Sequence, residues 1–320
     1  MIRCGVNLIP DVPVAEVVEL AVHAERLGYH RCWVFDEGLA TRDLYVTLSA
    51  IGLATKRMMI GPGITNPYTR HPATTAAAVA SLDELTGGRV FLGVGVGGSL
   101  TLDPLDIERP HPVVAVSELI EACRRLFTGE PVDMDGRNFG LRGASLGYGR
   151  TGIEVWLAGR GPRMISMGGA HADGVMLEFL HRDLIGKAVD RVRTGGREIG
   201  NKARLAYGTM VITDQTGVEA TKPHLTYRLV DSTPEVRTLL GISDRDIDRI
   251  RTAMPQGLGE AGRYVKDDWV YPFVIYGSPG ECRNQMEDLM ERYGFDEFVL
   301  PVLDATTARS QMEMMAGIIG

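Results

Sequence analysis

Hydrophobic and polar positions along this chain fall into two alternating rhythms. Short apolar runs bounded by Gly, Pro or acids read as buried strands, and apolar residues recurring every three or four positions read as helices. Residues 3–9 form the first such run and end at Pro10-Asp11. Val14, Val17, Val18, Ala21, Val22 and Leu27 then recur at helical spacing, with Gly28 as a C-terminal stop. Residues 32–35 give a second strand ending at Asp36-Glu37, residues 44–55 a helix, and residues 58–60 a third strand. A helix over 71–85 and a strand over 90–94 follow. Four strands alternating with three helices, at about thirty residues per unit, are the rhythm of a parallel sheet.

Beyond Gly95 the rhythm loosens. Residues 100–112 read as a loop, 113–127 as a helix, and 129–152 as irregular chain or a hairpin. Strands are predicted over 153–157, 174–177 and 205–213, with helices over 162–170 and 184–199. The polar stretch 218–268 reads as a partly helical insertion. Residues 271–276 lead to Gly277-Ser278-Pro279, which opens a helix through Tyr293, and 297–302 is the eighth strand before a closing helix over 306–319. Met312, Met314 and Met315 belong to the core of that last helix. Eight strands with intervening helices fit one closed (β/α)8 TIM barrel over 1–320 better than an open sheet, with the active site expected at the C-terminal strand ends.

Composition narrows the partners. The 320 residues are 44% hydrophobic and 23% charged, ordinary for a globular protein. A net charge of −7 disfavours nucleic acid or an anionic membrane surface as the main partner. No apolar run approaches a membrane span, and the N-terminus enters a strand without a signal-peptide pattern. Cys4, Cys32, Cys123 and Cys282 are scattered without a C-x-x-C, as expected of buried thiols in a reducing cytoplasm.

The candidate chemistry lies at the strand ends: Asn7 after the first, Asp36 and Glu37 after the second, and Gly63-Ile64-Thr65-Asn66 after the third. Pro62 between Gly61 and Gly63 stops regular pairing there, because proline has no amide to donate and glycine reaches backbone angles closed to other residues. The fourth strand ends in Gly93-Val94-Gly95-Val96-Gly97-Gly98, which matches G-x-G-x-x-G. It is not read as a dinucleotide fingerprint, because it sits on the fourth strand and residues 100–104 do not continue as a helix. Gly95, Gly97 and Gly98 could instead let a flat or anionic ligand approach the backbone, or simply make a tight turn. Gly159-Arg160-Gly161-Pro162-Arg163 at a helix start offers free N–H groups and two cations, a phosphate-type site or else a solvated basic turn. Arg70 and His71 could serve a second anionic group. A mouth-facing Asp36 or Glu37, partly desolvated, would hold or release a proton, with Glu178 a weaker candidate; solvated carboxylates are the alternative. The seven histidines show no H-E-x-x-H and no ligand spacing, so no metal site is expected, and no G-x-S-x-G elbow is present.

Taken together, G-P-G-I-T-N-P-Y-T-R-H-P, S-L-D-E-L-T-G-G-R-V-F-L-G-V-G, D-I-E-R-P, A-G-R-G-P-R-M and A-D-G-V resemble the bacterial luciferase-like superfamily. Within it they are most similar to the coenzyme F420-dependent methylenetetrahydromethanopterin reductase family. The resemblance runs over residues 5–183 and resumes at 277–279 and 296–300. It implies a (β/α)8 barrel, usually a homodimer, that binds a flavin or deazaflavin. It also implies a non-prolyl cis peptide at Gly63–Ile64 supporting one face of the deazaflavin. Asp36, Thr65, residues 93–98 and residues 159–161 would surround coenzyme F420. Two positions depart from the family: Asn7 stands where it has an acid, and Glu37 where it has a histidine. Asn7 cannot give a proton, so Glu37 is expected to manage it during hydride transfer to or from an electrophilic carbon. The substrate stays open, pterin- or folate-like compounds included. Three other readings remain: an FMN-dependent monooxygenase, a glycoside hydrolase using Glu37 and Glu178, and a coenzyme-storing protein without catalysis.

Overall fold

The computed structural model describes residues 2–320. Its strands are β1 (Cys4–Leu8), β2 (Arg31–Val34), β3 (Met59–Pro62) and β4 (Phe91–Val94), then β5 (Val132–Asp135) and β6 (Gly140–Ala144). They continue with β7 (Glu154–Ala158), β8 (Gly174–Glu178), β9 (Arg204–Gly208), β10 (Val211–Ile212), β11 (Ile275–Tyr276) and β12 (Glu297–Val302). Eight of them form one parallel sheet in the order β3-β2-β1-β12-β9-β8-β7-β4. Parallel bridges Ile60–Val90 and Thr65–Val94 join β3 to β4 and close the barrel. Helices cover its outside, so strands such as β1, β2 and β12 are buried along their whole length, as their near-continuous apolar sequences require.

Three expectations are corrected by the fold. Residues 100–112 are not all loop: a one-turn helix, Ser99–Leu102, and a 3₁₀ turn, Asp103–Leu105, start the segment. The Gly98 carbonyl accepts the first N–H groups and the fully buried Leu102 anchors the turn, neither of which leaves a capping signature in the sequence. Residues 205–213 are two strands rather than one. After Gly208 the chain leaves the barrel, the Thr209 hydroxyl donates to the Phe273 carbonyl, and β10 pairs with β11 instead. The apolar letters are continuous, but the pairing partner changes beneath them. The 218–268 insertion begins earlier, with helix Gln215–Val230, and runs through five further helical segments, one of them a 3₁₀ turn, to Val270. It has its own core, in which Val218, Leu225, Leu229, Ile250 and Trp269 pack together. The 129–152 stretch does contain a hairpin, formed by β5 and β6.

The lower, N-terminal end of the barrel is closed by charge. Arg31, Glu154, Arg204 and Glu297 are the first residues of β2, β7, β9 and β12. Arg31 Nε lies 3.2 Å from Glu297 Oε2 and its Nη2 3.1 Å from Glu154 Oε2, while Arg204 is 2.7 Å from Glu154. The Arg31 guanidinium stands 4.4 Å from the Phe91 ring centroid and 4.9 Å from that of Trp156. Above it Trp33 meets Phe91 and Trp156 edge-on, at centroid distances of 4.3 and 5.7 Å. Guanidinium planes stack on aromatic faces, so the ions and the rings fill the interior as one body. Burial pushes the Glu154 carboxyl up, but the Trp156 indole N–H, Arg204 and Arg31 outweigh it and bring the pKa down to about 2. A carboxylate depressed in the folded state contributes stability that is complete above its ordinary value of 4.5 and is lost as the pH falls toward 2. Glu154→Gln should therefore lower the melting temperature at neutral pH, and the gap to the parent should close as melts are repeated through that window. A gap that does not depend on pH would show that the charge of Glu154 is not what holds this end together.

Candidate active site

At the opposite end the strand termini open into a cavity of about 660 Å³. The end of β2 contributes Asp36 and Glu37, and β3 runs on into Gly63 and Ile64. Beyond β4 come Gly97, Gly98 and Thr101, and the β7 turn supplies Gly159, Arg160, Gly161 and Arg163. Glu178 ends β8, and Arg228 reaches in from the insertion helix. Of the residues singled out in the sequence, Asn7, Thr65, Asn66 and Gly95 do not line this space; they stand behind its wall.

That wall depends on how β3 meets β4. Between the two closing bridges, five residue steps on β3 oppose four on β4, so one residue is extra and the ladder bulges. The Gly63 N–H donates to the Val34 carbonyl at 2.6 Å and the Gly63 carbonyl accepts from Asn7 Nδ2 at 2.9 Å, so β1 and β2 hold the bulge. The Gly63–Ile64 peptide bond is cis. A side chain at Gly93 would put its Cβ 2.0 Å from the Pro62 carbonyl oxygen, and one at Gly95 would put it 1.8 Å from Ile64 Cδ1. These two glycines of the G-x-G-x-x-G match thus admit the bulge, and only Gly97 and Gly98 face the cavity. Behind the wall, Thr65 Oγ1 donates to Asp36 Oδ2 at 2.8 Å, and Asn66 Oδ1 accepts the amides of Tyr68 and Thr69 in an Asx turn.

The acids in the cavity are raised from their ordinary values for reasons the geometry supplies. Burial raises Asp36, the Thr65 hydroxyl opposes it, and Asp43 adds to it. For Glu37, burial and the neighbouring Asp36 outweigh the hydrogen bond from Thr101 Oγ1 to Oε2 at 2.8 Å. Glu178 is raised by burial against the opposing influence of Arg228 and Arg160, and its Oε1 has no partner. Both Glu37 and Glu178 therefore keep carboxyl oxygen free to act on something in the cavity.

The cations are equally uncommitted. Arg160, Arg163 and Arg228 make no salt bridge and no hydrogen bond among the described residues. Helix Pro162–His171 starts at Gly161, which has no side chain to cap it, with Pro162 at its first position. The first intrahelical bond is from Ile165 N–H to the Gly161 carbonyl, which leaves the amides of Arg163 and Met164 beside the cavity. Free helix N-terminal amides next to arginines favour a phosphate or carboxylate. A second chamber of about 580 Å³, with Phe179, Leu184 and Phe273 in its wall, shares Arg160 and Arg228 with the first. No side chain of Arg70 or His71 reaches either space. Arg228 and Thr101 were not identified from the sequence. Leu225, Arg228 and Leu229 share the inward face of one helix by their spacing, the one local sign that Arg228 points inward.

Asn7→Ala would leave the Gly63 carbonyl without its side-chain donor in a dry environment. A loss of about 1–3 kcal/mol is expected in urea unfolding, with Asn7→Asp worse because it sets a carboxylate against a carbonyl oxygen. Unchanged midpoints in both variants would show that the Asn7 amide does not hold the bulge.

Residues 2–297 match the family model for luciferase-like monooxygenases. A 5,10-methylenetetrahydromethanopterin reductase of Methanolobus tindarius is 30% identical over 295 residues, 90% of each chain. The corresponding enzyme of Archaeoglobus fulgidus is 27% identical, again over 90% of each. The structure of the coenzyme F420-dependent tetrahydromethanopterin reductase of Methanopyrus kandleri superposes with a TM-score of 0.87 at 26% identity, covering 98% of this chain and 97% of that one. With a closed barrel, a bulged third strand and an open C-terminal mouth, and with a family model matched over nearly its whole length, this chain belongs to the luciferase-like monooxygenase family.

Proposed function

We propose that this protein is an F420-dependent oxidoreductase that moves a hydride between the coenzyme and an electrophilic carbon of a small organic substrate, pterin- or folate-like compounds being the first class to try. The observation that carries this reading is the end-to-end match to reductases of that name, 30% identical over nine-tenths of both chains. The residues present fit such a coenzyme. A flat ring has a wall without side chains at Gly63 and an apolar contact at Ile64, and an anionic arm has Arg160, Arg163 and the unpaired amides of helix Pro162–His171. When bound, the deazaflavin supplies or takes the hydride, and the barrel supplies orientation and the proton.

Each polar residue then has a task. Asn7 and Val34 keep the Gly63 backbone in place, and Thr65 holds Asp36 against the wall. Glu37 presents Oε1 to the cavity and manages the proton that accompanies the hydride, a role its raised pKa favours. Asn7 is no acid, and its amide donates to the Gly63 carbonyl instead. Glu178 and Arg228 shape the far side. The related FMN reading rests on the family's breadth, and no feature of this cavity favours it over a deazaflavin.

We also infer a homodimer. Helix Leu44–Ala54 is apolar on all sides, and Val46 and Leu53 on its outer face are 61% and 62% exposed. A helix of that composition belongs against another surface. The four cysteines are buried and unpaired among the described residues, which supports a cytoplasmic location.

Titration with F420 and, in parallel, FMN tests the coenzyme: micromolar or tighter binding of F420 alone is expected, and preference for FMN would replace hydride transfer with oxygen chemistry. Glu37→Gln should leave F420 binding intact and reduce turnover by roughly 10²–10⁴-fold, the usual weight of a general acid. Full turnover in that variant would remove Glu37 from the mechanism. Val46→Asp with Leu53→Asp should yield monomers by light scattering, and an unchanged mass would place any interface elsewhere.

A further inference from the structure

Thr101 sits in the short helix after β4 and is 2% exposed, although its hydroxyl touches a carboxyl group in the cavity wall. Its oxygen lies 2.8 Å from Glu37 Oε2 and 3.5 Å from the carbonyl oxygen of Asp36. The side chain has little freedom to leave. Gly38, at φ +57°, packs so closely that a Cβ there would come 3.2 Å from Thr101 Cγ2, and the neighbouring Leu102 is fully buried. Glu37 is held from its own side, where its N–H donates to Thr41 Oγ1. Burial and the close approach of Gly38 thus limit the Thr101 side chain, and rotation of the hydroxyl hydrogen is what remains.

A threonine hydroxyl has one hydrogen to give and lone pairs to accept with. We propose that Thr101 is a positioning residue that governs the proton on Glu37. It donates to Oε2 while Glu37 is a carboxylate. While Glu37 is neutral its proton sits on Oε1, and the Thr101 bond to Oε2, no longer made to an ionised group, weakens. Oε2 is then held by one fixed atom in both protonation states, and Oε1 is left to exchange the proton with the substrate. The groups facing Glu37 make this contact decisive. Asp36 on the same loop and Glu178 from β8 oppose its charge, and Arg160 and Arg228 line the cavity from the β7 turn and the insertion helix. Thr101 is the one side-chain hydrogen-bond donor to this carboxylate among the described residues. Hydrogen bonds to ionised groups are stronger than those to neutral ones, so its removal tips Glu37 toward the neutral form.

The inference rests on Glu37 handling the proton, and the test separates the two. Thr101→Val keeps the shape and removes the hydroxyl; Thr101→Ser keeps the hydroxyl and removes the methyl. In ligand-free protein carrying ¹³C-labelled glutamate, with Glu37→Gln identifying the signal, the Glu37 midpoint should rise in Thr101→Val and return toward the parent in Thr101→Ser. With reduced F420 and methylenetetrahydromethanopterin, the corresponding limb of the pH–rate profile should move the same way, in kcat rather than in the KM for coenzyme. An unmoved Glu37 midpoint in folded Thr101→Val overturns the proposal whatever happens to turnover. A midpoint that moves without the rate profile upholds Thr101 as the governor of Glu37 and removes Glu37 from the reaction.

Discussion

The rest of the site depends on the close approach of β3 to β4. The Pro62 carbonyl can lie against β4 only because Gly93 carries no side chain, the would-be Cβ contact being 2.0 Å, while just beyond β4 a Cβ at Gly95 would meet the tip of Ile64 and, at 3.0 Å, the Ala158 carbonyl oxygen. That approach forces one residue out of register. The displaced Gly63 then needs partners outside the ladder, because a buried carbonyl without a donor is costly. Asn7 supplies the donor from β1, and Val34 accepts the N–H from β2. Three neighbouring strands are therefore committed to a single glycine at the cavity wall. The side chain at position 7 serves as a buttress.

The two ends of the barrel treat charge in opposite ways. At the lower end Arg31, Arg204, Glu154 and Glu297 are paired with one another, and the two guanidinium groups lie over aromatic rings. At the upper end Glu37 and Glu178 each have oxygen to spare, and among the described residues Arg160, Arg163 and Arg228 have no ionic partner, although Arg228 lies over the Phe179 ring. Paired charges contribute rigidity, whereas unpaired ones around a cavity favour a ligand that carries the complementary charge. The insertion matters for this asymmetry. It rests on its own apolar core, so it can place Arg228 over the mouth without disturbing the barrel beneath.

Much of this was legible in the chain. The βα rhythm, the closing of eight strands into a barrel and the acids after β2 all follow from short-range patterns that the structure keeps. The expected break at Gly61-Pro62-Gly63 comes later, because Gly61 and Pro62 still pair with Trp33 and Val34 of β2. The glycines after β4 were legible as a group but not as individuals. Their spacing matches a ligand-binding loop, and only the neighbouring strand shows that two of them admit β3 while two face the cavity. The run 205–213 misled for a related reason. Apolar letters continue through Thr209, yet the barrel partner is exchanged for β11 at that point, and a partner choice between distant segments has no local signature.

The sequence by itself determined the barrel and the position of its mouth, because both arise from periodicity and from residues such as proline and glycine that act on their own backbone. It also determined that Asn7 could not be the acid, since chemistry belongs to the residue. Only the tertiary structure decided what each polar group is committed to. Asn7 to Gly63, Thr65 to Asp36 and Thr101 to Glu37 are pairs from 29 to 64 residues apart in the chain. Hydrogen bonds form at about 3 Å between atoms that the fold brings together, and no periodicity along a chain encodes such a meeting.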